Sequence, residues 1–221
     1  MSAHRHFDAV LFDMDGLLLD TERPIFEAAV RTARALELGD QSAVFRGMIG
    51  LRSDLAMPML ETALAGRVSL EDFRAEWSVH MRELERDGVA IRPGVVELLE
   101  RLAALALPCA VATSTHRAQA RELLERTDIA RFFRTVTGGD DVVEPKPAPE
   151  IYLTAARSLE VDARRCCAFE DSGPGTRAAL ASGATVVQVP DLVPPSDELR
   201  ALGHVVAPDV LTGARRVELI D

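Results

Sequence analysis

The stretch DAVLFDMDGLLLDTE, residues 8–22, decides the fold. DAVLFD, at 8–13, is short, apolar and closed by acids, which predicts a buried β-strand. Gly16 breaks that pattern, and from 22 to 38 alanines with Ile25, Phe26, Val30 and Leu36 predict a helix. A weaker helical stretch at 50–65 holds Pro58, which should interrupt or kink it. Ser69, with Asp72 three residues on, has the pattern of a helix N-cap. That helix runs through Phe73 and Trp77 to about Leu84, and Asp87-Gly88 ends it. Residues from about 19 to 90 therefore read as helical throughout.

The pattern then changes. Arg92-Pro93-Gly94 opens a helix with Val95, Leu98, Leu99, Leu102 and Leu105 on one face. Strands are expected at 108–113, 134–138, 166–170, 185–189 and 204–206, with helices at 116–126, 149–159 and 174–182 between them. Strands alternating with helices imply a parallel sheet covered on both faces. The expected architecture is an α/β domain, residues 1–18 and 91–221, with an all-helical insertion at 19–90 directly after the first strand.

Composition narrows the function. Of 25 basic residues, 24 are arginine and one, Lys146, is lysine; 35 acids bring the net charge to −10. An acidic chain repels a phosphodiester backbone, so nucleic acid is not expected as a partner. The longest stretch free of acids, arginine and lysine, 102–116, is too short to span a bilayer and holds Pro108. Asp8, Asp13 and Asp15 interrupt any signal-peptide core, so the expected setting is cytoplasmic and without membrane. The sequence does not fix the oligomeric state; a monomer is the expectation. Cys109, Cys166 and Cys167 are odd in number and lie in apolar runs, which suits reduced core residues.

Ligands of an open parallel sheet bind beyond the carboxyl ends of its strands. There this chain places Asp13-Met14-Asp15-Gly16, then Thr113-Ser114-Thr115, then Glu144-Pro145-Lys146-Pro147, then Glu170-Asp171-Ser172-Gly173. Asp13, Asp15, Glu170 and Asp171 with Lys146 sum to −3. Such a cluster calls for a hard divalent cation with oxygen ligands, and Mg²⁺ suits it. An anionic substrate should then bind poorly without the metal. In Asp13-x-Asp15 one carboxylate can act as nucleophile and the other as general acid, then base.

DMDGLLLDTE, Thr113-Ser114, KPAPE and EDSGPG, in that order, resemble the four motifs of the haloacid dehalogenase superfamily. The helical insertion resembles the small C1-type cap of its beta-phosphoglucomutase-like phosphatases, which implies a Rossmann-like core. By that resemblance Asp13 is the nucleophile that becomes an aspartyl phosphate, and Asp15 is the general acid/base whose backbone carbonyl also ligates Mg²⁺. Asp171 is a metal ligand, and Glu170 a ligand or its outer partner. Thr113 and Ser114 bind phosphate, and Lys146 neutralises nucleophile and phosphate. The dehalogenases of the family lack the second aspartate, so Asp15 implies phosphoryl transfer.

Two positions depart from the pattern. Beta-phosphoglucomutase carries a histidine twelve residues after its nucleophile; here Ile25 stands there, which favours a phosphatase over a mutase. Pro145 precedes the lysine where glycine is common in the family. The implied activity is Mg²⁺-dependent hydrolysis of a small phosphorylated metabolite of the sugar-phosphate kind. A phosphomutase and a non-catalytic sugar-phosphate binder are the alternatives. Glu22, Arg52, Thr115, His116 and Arg117 are candidate substrate residues; Arg52 also reads as a cap surface charge and His116 as a helix-start polar residue. His4, His6, His80 and His204 read as structural, and Trp77 as cap core.

Overall fold

In the computed structural model, which describes residues 7–64, 66–84, 86 and 88–221, six strands form one parallel sheet. They are β1 (Ala9–Phe12), β2 (Cys109–Ala112), β3 (Phe133–Thr137), β4 (Cys166–Glu170), β5 (Thr185–Gln188) and β6 (Val205–Val206). Their spatial order is β3-β2-β1-β4-β5-β6. The chain reverses direction across the sheet between β1 and β4, which opens a crevice at their carboxyl ends. Register pairs Phe12 with Val111 on one side and with Phe169 on the other. Asp13 therefore leaves the sheet level with Ala112 and Glu170, and stacking of Phe12 on Phe169 (centroids 5.2 Å apart) holds the two strand ends together.

β1 is buried on both faces. Val10 and Phe12 enter the core beneath α5 (Val95–Ala104), α6 (Arg117–Arg126) and α10 (Val210–Arg216). Ala9 and Leu11 face α7 (Glu150–Ser158) and α8 (Gly173–Ala181). That second face is rich in alanine on both sheet and helices, which lets the helices approach closely. The three cysteines are buried free thiols, and burial pushes Cys109 and Cys166 up to about 12 and Cys167 in the same direction. No described helix is long and apolar enough to cross a membrane.

The insertion folds as α1 (Glu22–Ala35), α2 (Ser42–Met48), α3 (Ser53–Leu64) and α4 (Leu70–Leu84) around its own core of Leu38, Phe45, Leu60, Leu64 and Phe73. The helix starting at 22 stops at Ala35 and not at 38, because Glu37 turns left-handed (φ 53°) and the Leu38 amide folds back on the Ala33 carbonyl at 2.8 Å. α2 is not apparent in the sequence; only Phe45 of its seven residues is buried, too few for an apolar period. Pro58 lies inside α3 without ending it, since both it and Asp54, whose carbonyl loses its donor, are exposed. Ser69 caps α4 as expected, its hydroxyl accepting the Asp72 amide at 3.0 Å. The expected stop at Asp87, and His4 and His6, lie outside the described residues.

The two chain segments joining cap and core run side by side. Leu19 bridges to Ile91, and the amides of Asp20 and Arg92 donate to Ala90 and Leu18. Asp191, its side chain fully buried, forms ion pairs with Arg23 at 2.5 Å and Arg92 at 3.0 Å and so ties both segments together. The cap lies closed over the sheet's carboxyl edge. There Arg52 donates to the carbonyls of Gly139 (3.1 Å) and Val142 (3.2 Å) of the core.

Candidate active site

Lys146, in the loop between β3 and α7, is 2% exposed and sits between two carboxylates. Its Nζ donates to Asp13 Oδ1 at 2.5 Å and to Glu170 Oε1 at 2.6 Å. Burial opposes its charge, but the two carboxylates outweigh burial and raise its pKa above the usual lysine range. The loop that carries it is tied down by Glu150, which accepts the amides of Val143 (3.1 Å) and Glu144 (2.7 Å).

Glu170 is saturated. Oε1 also accepts the Tyr152 hydroxyl at 2.8 Å, and Oε2 accepts the Asp171 amide, the Ser172 amide and the Ser172 hydroxyl, each at 3.0 Å. Five donors on one carboxylate leave it little capacity to ligate a metal directly. Gly175 makes this arrangement possible: a Cβ there would lie 1.7 Å from Glu170 Oε1. Gly175→Ala is expected to lower stability by about 3 kcal/mol, at the upper end for overpacking a buried site, as read from denaturant unfolding.

Asp171 stands in contrast. It is 3% exposed, and among the described residues no donor serves its carboxylate. Burial, then the neighbouring Glu170 and Asp13, push it well above the ordinary carboxylate range. Asp13 is raised for the same first reason, with Lys146 opposing. One oxygen each of Asp13, Glu170 and Asp171 lie within 4.8 Å of one another. Three buried carboxylates against one ammonium fit a bound divalent cation, which would reverse these shifts. Gln188 fixes the Asp171 carbonyl (3.1 Å) and is held in turn by His204 (2.8 Å).

Asp15 does not join that group through its carboxylate. Its Oδ1 accepts Thr21 at 2.8 Å, and its Oδ2 accepts Thr113 at 2.9 Å and Thr115 at 2.8 Å. The hydroxyl expected to bind phosphate at Thr113, and the one expected to meet substrate at Thr115, both aim Asp15 instead. Ser114 turns its hydroxyl to the Gly50 carbonyl of the cap at 3.3 Å.

Asp13, Asp15, Ser114, Thr115, His116 and Glu22 line one cavity of about 400 Å³ between core and cap. His116 is exposed and faces Asp140 at 3.8 Å. Arg117 pairs with Asp141 at 3.1 Å, and Arg52 with Asp54 at 2.7 Å; neither lines the cavity. Tyr152 and Asp191 carry the site without a mark in the sequence, and Thr21 and Ser172 lie inside the quoted motifs without an assigned role. Tyr152, the single tyrosine, on the buried face of α7 six residues after Lys146, was the available signal.

Burial, with the Asp15 carboxylate beside it, raises Glu22 to about 7, against a hydrogen bond from the Gly50 backbone. An acid raised on folding binds more protons folded than unfolded, so stability falls as pH rises from 4.5 to about 7. Glu22→Gln is expected to raise the melting temperature near pH 8, with the gain gone near pH 4. An equal gain at both pH values would rule out the buried charge as its source.

Residues 10–189 match the haloacid dehalogenase-like hydrolases. The phosphorylated carbohydrates phosphatase of Thermotoga maritima is 36% identical over 176 residues, 80% of this chain and 82% of that protein. The (DL)-glycerol-3-phosphatase 2 of Arabidopsis thaliana is 34% identical over 191 residues, 82% and 79% of the two chains. The crystal structure of CbbY from Rhodobacter sphaeroides in complex with phosphate superposes with a TM-score of 0.73 at 26% identity, covering 92% of this chain and 94% of that one. With two aspartates at the end of β1, a lysine on the first of them and acids at the end of β4, the chain belongs to the haloacid dehalogenase-like hydrolases.

Proposed function

We propose that this hydrolase is a Mg²⁺-dependent phosphomonoesterase acting on a small phosphorylated metabolite of the carbohydrate kind, through an aspartyl phosphate on Asp13. The observation that carries this is the separation of the two aspartates. Asp13 rests on Lys146 at the cavity floor, while three hydroxyls turn Asp15 away from the metal-type cluster and into the same cavity.

In the first step a carboxylate oxygen of Asp13 attacks phosphorus, and the bond to the alcohol oxygen breaks. Asp15 gives its proton to that oxygen. Water then attacks the phosphorus of the aspartyl phosphate, Asp15 takes the proton, and phosphate leaves with the Asp13 carboxylate restored. Lys146 keeps Asp13 in place and offsets charge on the transferring group. The closed cap excludes other water during the first step. Mg²⁺ would be held by the carboxylates of Asp13 and Asp171 and the backbone carbonyl of Asp15, with Glu170 outside them, and would supply positive charge against the phosphoryl oxygens.

Ile25 lines the cavity and carries no protic group. A mutase would need a second proton donor to reposition the phosphoryl group, so hydrolysis is the better reading. Phosphate release from a chromogenic aryl phosphate tests it. Release is expected with Mg²⁺ and loss of at least about 100-fold in excess EDTA; full activity in EDTA would overturn the metal assignment.

A further inference from the structure

The cavity over Asp13 does not end at the polar floor. It runs on into the interior of the cap, where Phe26, Phe45, Met48, Met57, Leu60 and Trp77 form its wall. Twelve of its 22 lining residues are apolar, and all twelve come from the cap segment. Phe45 and Leu60, at 6% and 4% exposed, belong to the cap's own core, so the space reaches that core.

The polar groups are distributed unevenly. Asp13, Asp15, Ser114 and Thr115 belong to the floor, with Glu22 beside Asp15. Ser53, Arg74, His116 and Gln119 are exposed residues and mark the mouth. Along the wall the Trp77 indole N–H already points to the Ile25 carbonyl at 3.5 Å, and the Gly50 carbonyl is taken by Ser114. The side chains of this wall offer a hydroxyl no partner beyond the Trp77 N–H, which is already engaged, so a hydroxyl pushed against them loses its hydrogen bonds to water. A methylene or aromatic edge in the same place is driven out of water. The buried acids at the floor also oppose a second anionic group on the ligand.

We infer that the ester hydrolysed here carries an apolar substituent, aryl or cycloalkyl, on the side away from its phosphate, and that the cap chamber is the binding site for it. The phosphate meets Asp13, the carbohydrate part meets Glu22, and the apolar end lies among the cap helices. Met48 and Met57 allow some variation in its shape, because unbranched thioethers repack readily. This rests on the phosphatase reading above and narrows its substrate class.

The test is a matched pair, phenyl glucoside 6-phosphate against glucose 6-phosphate, compared by kcat/KM for phosphate release with Mg²⁺. An activated aryl phosphate serves as a control for hydrolysis itself. The phenyl glucoside is expected to be preferred by about 100-fold, the scale of a few carbons in an apolar pocket. Met57→Gln is expected to lower that preference about tenfold; a ratio measured on one sample does not depend on how much of the variant is folded. Equal kcat/KM for the pair, or an unchanged ratio in Met57→Gln, would overturn the chamber assignment while leaving the phosphatase intact. Turnover of the aryl phosphate with neither sugar ester would do the same. Loss of all three would overturn the phosphatase reading as well.

Discussion

Asp13→Asn is expected to lower phosphate release by about 10⁴-fold or more, the scale on which a covalent nucleophile is removed. The substitution keeps shape and one acceptor oxygen but removes the charge that Lys146 faces at 2.5 Å. The amide is a poor nucleophile, and the nearby carboxylates do not replace it: Asp171 is the one we assign to the metal. Glu170 is occupied by five donors, and Asp15 is held by three threonines on another side of the cavity. The fold should survive, because neutralising one of three buried carboxylates relieves repulsion that raises the Asp171 pKa. Steady-state turnover together with a melting curve separates the two effects: activity lost, melting temperature kept or raised. Activity within tenfold of wild type would reject Asp13 as nucleophile.

Lys146→Met should carry the second largest effect, and in contrast should cost stability. Methionine fills a similar space but leaves Asp13 and Glu170 without the ammonium that separates them. Stripping one partner from a buried ion cluster costs about 3–5 kcal/mol. In a chain of this size that corresponds to a melting point lower by roughly 6–20 °C. Asp13 is raised chiefly by burial, so acid protonates it and removes one of the two facing charges. The deficit is therefore expected to shrink as pH falls. Lys146→Arg should not restore activity, since the planar guanidinium does not fit a pocket in which the ammonium also lies 5.3 Å from the Tyr152 ring. This accounts for lysine at the one basic position, of 25, that is not arginine.

What could be read from the sequence followed from strand ends. A parallel sheet brings all its carboxyl ends to one edge, so Asp13, Thr113, Lys146 and Glu170 could be assigned a common location before their contacts were known. Side-chain direction could not be read in the same way. Thr113 and Thr115 flank Ser114, and hydroxyls there could serve phosphate or carboxylate equally well. Only the packing of β2 against β1 turns both toward Asp15, across 98 and 100 residues of chain. Tyr152 and Asp191 act through partners equally remote: Tyr152 reaches Glu170 on β4, and Asp191 reaches arginines at both chain segments entering the cap. Arg52 carries a surface-type motif in sequence, yet its guanidinium spans from Asp54 to core carbonyls 87 and 90 residues away. The apolar wall of the cap was also hidden. Phe26, Met48 and Trp77 have the spacing of ordinary helix cores, and nothing in that spacing separates a filled core from a lined chamber.

The most direct test of the central claim is mass spectrometry of enzyme quenched during turnover of an aryl phosphate, using Asp15→Asn. An aryl oxide leaves without help from an acid, so the first step proceeds, while the second lacks its base. One phosphoryl group is expected on the peptide containing Asp13, at close to one per enzyme, together with a burst of one equivalent of the phenol. Product formation with no phosphoryl group on that peptide would contradict covalent catalysis by Asp13.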